Sequence, residues 1–198
     1  MLAKLPESLK RVIRALASLP SLGPRQATRL AFSLVQRSPE ERAAFVADLQ
    51  GLANIKICAR CYFLYEGTGE ICEICANPTR DQSIVMIVEK ETDLISLENT
   101  NRFRGRYLVL GPVPKIGVLA DWQKARLRTL KDSLKSKAKE IILGFGPTTV
   151  GDLNAKLIAN ELGGFTEKLT RLGRGLPTGA EIEFADDETL GSALDGRS

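Results

Sequence analysis

The chain has 198 residues, of which 43% are hydrophobic and 26% charged, and its formal net charge is +4. No apolar run approaches the ~20 residues that a membrane-spanning helix needs, and the N-terminal segment lacks the uninterrupted apolar stretch of a secretory signal. We therefore expect a globular cytoplasmic protein whose cysteines stay reduced.

The charge is unevenly distributed along the chain. Residues 1–53 hold 8 basic and 4 acidic side chains, and residues 102–139 hold 11 and 2. Residues 54–101 hold 4 basic and 8 acidic side chains, and residues 181–198 hold 1 basic and 6 acidic ones. Two basic regions separated by acidic ones suggest an extended anionic partner that is contacted at two places. The alternative for residues 124–139 is a helix whose lysines and arginines only face solvent.

The N-terminal segment has the pattern of three helices. Apolar residues at helical spacing predict a first helix over residues 7–19 and a second one after the turn-forming sequence LPSLGP. In SPEE, Ser38 is placed as the N-cap, Pro39 at the first helical position and Glu41 at the third, which together form a capping box. This predicts a third helix that runs to about Leu52.

The stretch LPSLGPRQATRL predicts a helix-hairpin-helix DNA-binding module within residues 1–53. Such a hairpin uses a glycine-containing turn so that backbone N–H groups and a helix N-terminus can approach a phosphate. Arg25 and Arg29, one turn apart on the second helix, are candidate phosphate contacts. In the commonest hairpin glycine stands on both sides of the apolar turn residue, whereas here the first of these positions is Ser21. The alternative is an ordinary helical hairpin whose arginines are solvated.

All four cysteines lie in one segment, with the spacing C-x2-C-x10-C-x2-C, and the chain has no histidine. Two C-x-x-C pairs at this spacing are typical of a tetrahedral Zn²⁺ site. The ligands would be Cys58, Cys61, Cys72 and Cys75. Because no ligand position is left for water, the zinc would be structural. Redox-active C-x-x-C pairs and free core thiols are the alternatives. We expect residues 54–79 to fold around the metal.

The remainder of the chain alternates between strands and helices, which predicts a parallel α/β sheet. The strands are expected at residues 84–88, 107–110, 141–143 and about 168–172. The helices are expected at residues 92–99, 121–138 and 152–162. A further strand over residues 181–185 and a closing helix over residues 187–195 would complete the chain.

Candidate chemistry in the α/β region is limited. Glu89 follows a buried strand, at the edge of the sheet where α/β proteins place their sites. The stretch from Gly146 to Gly151 has the glycine spacing of a phosphate-binding loop, but Asp152 stands where that loop requires lysine, so we expect no nucleotide there. The absence of histidine excludes Ser-His and Cys-His catalysis.

The order of these modules resembles one family, the bacterial recombination mediator RecR. LPSLGPRQATRLAF is similar to its helix-hairpin-helix, and the cysteine segment to its zinc finger. IVEKETDLISLE followed by GRYLVLG is similar to the start of its Toprim domain. LTRLGRGLPTGAEIEFADDETLGSALDGR resembles its C-terminal signature, a Walker-B-like strand and helix. The implied fold is a multidomain α/β protein with a helix-hairpin-helix module (1–53), a C4 zinc finger (54–79), a Toprim-like parallel sheet (80–173) and a short strand-helix tail (174–198).

The resemblance implies a DNA-binding mediator that helps to load recombinase onto gapped DNA coated with single-strand-binding protein. RecR-like proteins act with RecO-like and RecF-like partners and form dimers and ring-like tetramers through their N-terminal and C-terminal regions. By position, Arg25 and Arg29 match the DNA-contacting residues of the family. The residues expected at the two interfaces are, for DNA, Lys10, Arg11, Arg25 and Arg29, and, for the partner on the Toprim surface, Glu89, Asp93 and Asp152.

The chain also departs from catalytic Toprim proteins. Those enzymes hold Mg²⁺ with an Asp-x-Asp pair after the third strand, where this sequence has Gly146-Pro147-Thr148. RecR-like chains usually have Asn-Pro-Thr there with a glutamate two residues later, and here those positions are Gly146 and Val150. We therefore expect a protein that is not an enzyme, because two-metal phosphoryl transfer needs several acidic ligands. The alternatives are a Toprim-class, Mg²⁺-dependent nuclease or primase accessory, and a zinc-stapled regulatory module without a DNA role.

Overall fold

The computed structural model describes residues 4–112, 117–134, 136–173 and 175–196. The chain divides into two compact units, the first ending at Ile55 and the second beginning at Lys56. The longest helix in the described ranges has 14 residues, and none of the described helices is both long and apolar enough to cross a membrane.

The first unit is helical, as predicted. It contains α1 (Glu7–Ala17), α2 (Pro24–Gln36), α3 (Pro39–Gly51) and a short 3-10 turn, Leu52–Asn54. Ile13 of α1 is buried against Ala27 and Ala31 of α2, whose small side chains allow the two helices to pack closely. The predicted capping box is confirmed: Ser38 Oγ accepts from Glu41 N at 3.2 Å, and Glu41 Oε2 accepts from Ser38 N at 2.9 Å.

The second unit begins with the cysteine segment. Its hairpin strands, β1 (Lys56–Ile57) and β2 (Leu64–Tyr65), pair antiparallel, and α4 (Glu73–Ala76) follows. We refer to residues 56–76 as the cysteine module.

A four-stranded parallel sheet forms the centre of the second unit. The strands are β3 (Ile84–Val88), β4 (Arg106–Val109), β5 (Ala138–Gly144) and β6 (Thr166–Arg171). They lie in the order β4-β3-β5-β6. The helices between them are α5 (Glu91–Asn99), α6 (Asp121–Ser133) and α7 (Thr149–Leu162). The predicted parallel α/β sheet is therefore confirmed.

Alternate residues of the strands enter two separate cores, because side chains of a strand point in turn to opposite faces. One face holds Val85, Ile87, Leu108, Ile141 and Leu143 and is covered by α6 and α7 through Leu127, Leu130, Ala155, Ile158 and Leu162. The other face holds Met86, Val88, Tyr107 and Val109, and it is covered by Leu94 of α5 together with Phe63 and Ile74 of the cysteine module. The cysteine module thus packs on the second face of the sheet.

Two predicted elements are corrected. The helix expected to reach residue 138 ends at Ser133, because Leu134 is extended, and Ala138 instead begins β5, where it pairs with Thr166. The strand expected over residues 181–185 is a 3-10 helix, Ile182–Phe184, followed by the predicted closing helix, α8 (Asp187–Asp195). Alternating apolar residues form a strand only beside a partner strand, and this segment pairs with none of the described strands.

Candidate metal centre and nucleic-acid interface

The four predicted ligands converge in the cysteine module. Their Sγ atoms all lie within 4.8 Å of one another, and Cys61 Sγ and Cys72 Sγ are 3.5 Å apart. All four residues are buried, with exposed fractions from 0% to 4%. Four sulfurs bound tetrahedrally at ~2.3 Å from one ion would be about 3.8 Å apart. The cluster therefore has the size of a tetrahedral metal site.

The four thiols are close enough to perturb one another's ionisation. Hydrogen bonds from the Cys61 and Cys75 thiols lower the pKa of the Cys72 thiol. Hydrogen bonding to Cys72 raises the pKa of the Cys61 thiol. Without a cation, a charge on one sulfur is thus stabilised by protons that stay on its neighbours. Four ionised thiols at this spacing would repel one another unless a cation lay between them, and sulfur ligands suit a soft or borderline metal.

The cysteine module is attached to the sheet by specific contacts. Val109 N, at the end of β4, donates to Cys61 O at 2.8 Å, and Tyr62 Oη donates to Thr129 Oγ1 at 2.8 Å. The Arg126 guanidinium lies 4.7 Å from the centre of the Tyr62 ring and 4.8 Å from that of Trp122. The cysteine cluster thereby lies in a segment that is itself part of the sheet's packing.

The turn of the helical hairpin has a backbone suited to close approach. Ser21, which replaces a glycine of the usual hairpin, has φ = 64°, a left-handed conformation that glycine adopts most readily. Gly23 is the N-cap of α2 and Pro24 its first residue, and no side chain caps this helix. The first-turn N–H groups of α2 are thus directed outward without a side-chain acceptor.

The four residues predicted to contact DNA differ in exposure and in ion pairing. Arg25 and Arg29 are exposed and form no ion pair with any described residue. Arg11 is likewise exposed on α1, but Lys10 is partly buried and its Nζ lies 3.3 Å from Glu7 Oε2. The hairpin therefore places Arg25 beside the uncapped start of α2, with Arg29 one turn further along, and Lys10 is partly neutralised.

The predicted partner surface lies at the carboxyl edge of the sheet. Glu89 and Asp93 line a cleft of about 590 Å³, which Arg171 and the α8 residues Glu188, Thr189 and Ser192 also border. Asp93 Oδ2 accepts from Lys90 N at 2.9 Å, which caps α5. Asp152 is not in the cleft wall; its Oδ1 lies 2.7 Å from Nη1 of Arg171. Two of the three acidic residues thus share one cleft.

Sequence reasoning missed Asn154, the buried partner of Glu89. Asn154 is 0% exposed, and its Nδ2 donates to Glu89 Oε1 at 3.2 Å. An asparagine in the middle of an amphipathic helix would have been the available signal, because a polar residue on the apolar face of a helix needs a buried partner. Among the described residues, the cysteines form the only group of three or more potential metal ligands.

Comparison with known families covers both units. The model described as "RecR, helix-hairpin-helix" matches residues 9–52, "Toprim domain" matches residues 83–173, and "RecR, C-terminal" matches residues 175–198. "Recombination protein RecR" of Rubrobacter xylanophilus is 38% identical over 200 residues, which cover 99% of this chain and 98% of the relative. The chain belongs to the RecR family.

Other RecR relatives show similar agreement. The protein of Thermus thermophilus is 39% identical over 97% of both chains, and that of Bifidobacterium adolescentis is 38% identical over 96% of this chain and 95% of the relative. The RecR helix-hairpin-helix match includes Arg25 and Arg29, and the Toprim match includes Glu89 and Asp152. The family expected from the sequence is confirmed.

Proposed function

We propose that this RecR-family protein is a DNA-binding recombination mediator in DNA repair and has no catalytic activity of its own. The observation that carries the proposal is the hairpin surface, where Arg25 lies at the uncapped start of α2 and Arg29 one turn further along, both exposed and without an ion pair among the described residues. A phosphate at this position would accept from the first-turn N–H groups and be neutralised by the guanidinium groups. Relatives of nearly the same length are named recombination proteins.

The test is the salt dependence of DNA binding by hairpin variants. Arg25→Glu and Arg29→Glu should each weaken binding of a single-stranded oligonucleotide. Replacing both with alanine should reduce the slope of log K against log salt by about 1.4, since each phosphate contact contributes ~0.7 on single strands. Arg37→Glu is the matched control, because it makes the same change of charge on an exposed arginine, the C-cap residue at the opposite end of α2. Equal losses for Arg25→Glu and Arg37→Glu would show that only overall charge matters.

We further propose that the cysteine centre holds one structural Zn²⁺ per chain. The support is the buried cluster of four sulfurs, all within 4.8 Å of one another; four cysteine ligands would leave no position for water or substrate on a tetrahedral ion. Elemental analysis of the purified protein should find one zinc per chain. Cys72→Ser should lose it and Ser18→Ala, at the end of α1, should keep it. Zinc retained by Cys72→Ser would refute the assignment of the ligands.

The remaining parts of the proposal concern assembly. We propose that the Toprim surface with Glu89, Asp93 and Asp152 binds a RecO-like partner and that a RecF-like protein also associates. We propose dimers and ring-like tetramers of the chain itself, and action in the cytoplasm on gaps coated with single-strand-binding protein. Light scattering on a sizing column should show a complex with the RecO-like protein of the same organism. Glu89→Lys should weaken that complex, and Glu167→Lys, on β6, should not.

A nuclease assay tests the absence of catalysis. Among the described residues, Glu89 bonds to Asn154 and Asp152 pairs with Arg171, so the acidic groups do not converge on a shared metal. Two-metal hydrolysis needs such convergence. Cleavage of gapped DNA that depends on Mg²⁺ and disappears in Glu89→Gln would overturn this part of the proposal.

A further inference from the structure

A second groove, of about 710 Å³, lies at the opposite edge of the sheet from the acidic cleft. Arg106 is the first residue of β4, and Lys137 and Ser83 directly precede β5 and β3, so these three side chains mark the amino edge of the parallel strands. The cysteine module forms the other wall through Arg60 and Cys75, and Asn77 follows it. The residues described along this groove include three basic side chains and no carboxylate, and Cys75 of the cysteine cluster also borders it.

Arg106 is the unusual member of this group. It is only 6% exposed, yet it forms no ion pair with any described residue. Its Nη1 donates to Ser133 Oγ at 3.3 Å, and its buried Nε has no hydrogen-bond partner among the described residues. A buried guanidinium without a counter-charge is costly, so such groups normally have an anionic partner.

Arg80 provides an internal comparison. It is also buried, at 8% exposure, but it pairs with Glu98 and donates to Gly105 O at 3.1 Å. Among the described residues, Nε of both arginines lacks a hydrogen-bond partner, but only Arg80 has a carboxylate partner. Cys75 borders the same groove and could offset part of the charge of Arg106, but it is a candidate metal ligand and offers the guanidinium no oxygen acceptor.

The other two cations of the groove are positioned to face the same ligand. Arg60 Nη1 donates to Cys75 O at 3.3 Å, which holds this side chain at the groove wall. Lys137 is exposed and makes no hydrogen bond or ion pair with a described residue. Neutral polar side chains complete the lining, namely Ser83, Ser133, Ser136, Asn77 and Gln82. Ser83 and Ser133 already donate to Asp81 Oδ1 and Leu130 O.

We propose that this groove binds a backbone phosphate of DNA, an inference that rests on the proposed function and adds a second DNA contact on the second unit. A guanidinium fork matches a tetrahedral phosphate, and hydroxyl and amide donors commonly accompany it on nucleic-acid backbones. Free inorganic phosphate has the same chemistry, but the groove is several times larger than one such ion. A continuous chain of phosphates fills a groove of this kind better than a single anion does.

The experiment measures binding of a fluorescein-labelled single-stranded oligonucleotide to the full-length, metal-loaded protein by anisotropy, between 50 and 200 mM salt. Lys137→Glu should weaken binding about tenfold, and Lys137→Ala should lower the salt slope by about 0.7, the contribution of one phosphate. Lys156→Glu on α7 is the matched control, because Lys156 is exposed and does not line the groove. It should bind within about twofold of the wild type, since surface charges outside the contact change affinity little.

Each result distinguishes the groove from the hairpin. If Arg25→Glu loses affinity while Lys137→Glu binds like the wild type, the proposed function stands and the groove inference is refuted. If the wild type binds no oligonucleotide, the proposed function is refuted, and the DNA ligand of the groove with it. In a second arm, inorganic phosphate replaces chloride at constant ionic strength. If phosphate stabilises the wild type against unfolding but does not stabilise Lys137→Glu, and if this variant binds DNA as the wild type does, the groove binds free phosphate. The DNA assignment would then be wrong.

Discussion

Replacing Gly151 with alanine tests the packing of the loop that precedes α7. An alanine Cβ at this position would lie 2.0 Å from Gly146 O and 3.3 Å from Thr148 Oγ1. Real Cβ atoms essentially never come within 3.0 Å of another heavy atom, so the loop would have to move by roughly 1 Å. Thr148 caps α7 by accepting from Gly151 N at 3.0 Å, and this movement would disturb the cap as well.

Two opposing free energies set the size of the effect. Helix propensity alone favours alanine over glycine by ~1 kcal/mol. Forcing a methyl group against a fixed carbonyl costs about 3 kcal/mol, as overpacking of a core does. The clash therefore dominates, and Gly151→Ala should destabilise the protein by about 2 kcal/mol and lower its Tm by about 6 °C.

Urea and thermal unfolding of the metal-loaded protein measure this difference. Gly191→Ala is the matched control, because Gly191 lies inside α8 and an added Cβ would meet no atom within 4 Å. It should stabilise α8 by up to ~1 kcal/mol. If Gly151→Ala is as stable as the wild type while Gly191→Ala is more stable, the steric reasoning is wrong. The glycine would then need another explanation, such as an approaching phosphate.

Three further results are expected. Ser21→Gly should stabilise the protein by about 1 kcal/mol in urea unfolding, because the left-handed φ of 64° strains a residue that has a Cβ; an unchanged midpoint would contradict the strain. Removing the metal with a chelator should destabilise the second unit by several kcal/mol. It should also change the emission of Trp122, the single tryptophan, because Arg126 lies between its ring and that of Tyr62; an unaltered spectrum after verified metal loss would contradict the contact. Tyr107→Phe should change stability at pH 7 by no more than ~1 kcal/mol, because the buried Tyr107 hydroxyl has no hydrogen bond of good geometry among the described residues although the Glu98 carboxylate lies near it. Burial raises the pKa of Tyr107 above its ordinary 10.0, so the folded protein keeps a proton that the unfolded chain releases; wild-type stability should fall above about pH 10 more steeply than that of Tyr107→Phe.

The sequence predicted those features that depend on local spacing. The four cysteines converge as their paired spacing indicated, and Ile84–Val88 forms a central strand because five consecutive apolar residues can be buried on both faces. The capping box at Ser38 was also predictable, since both of its hydrogen bonds join residues three positions apart.

Features that depend on distant partners were not predictable in this way. The alternation of residues 181–185 indicated a strand, but a strand needs a neighbour that local sequence does not specify. The burial of Asn154 is explained by its hydrogen bond to Glu89, which is 65 positions away in the sequence. Arg106 was counted among eleven basic residues of one segment, and only the fold distinguishes it from its exposed neighbours by burying it.

The sharing of Phe63 and Ile74 between the metal cluster and the sheet has a consequence for the life of the protein in the cell. Both side chains pack on the four cysteines and also on the face that holds Met86, Val88 and Tyr107. Loss of the metal would therefore uncover apolar surface on the central strands, which proteases and chaperones recognise. We expect metal-starved cells to degrade this chain and not to accumulate a folded, inactive form. Its abundance would then report the supply of the ion.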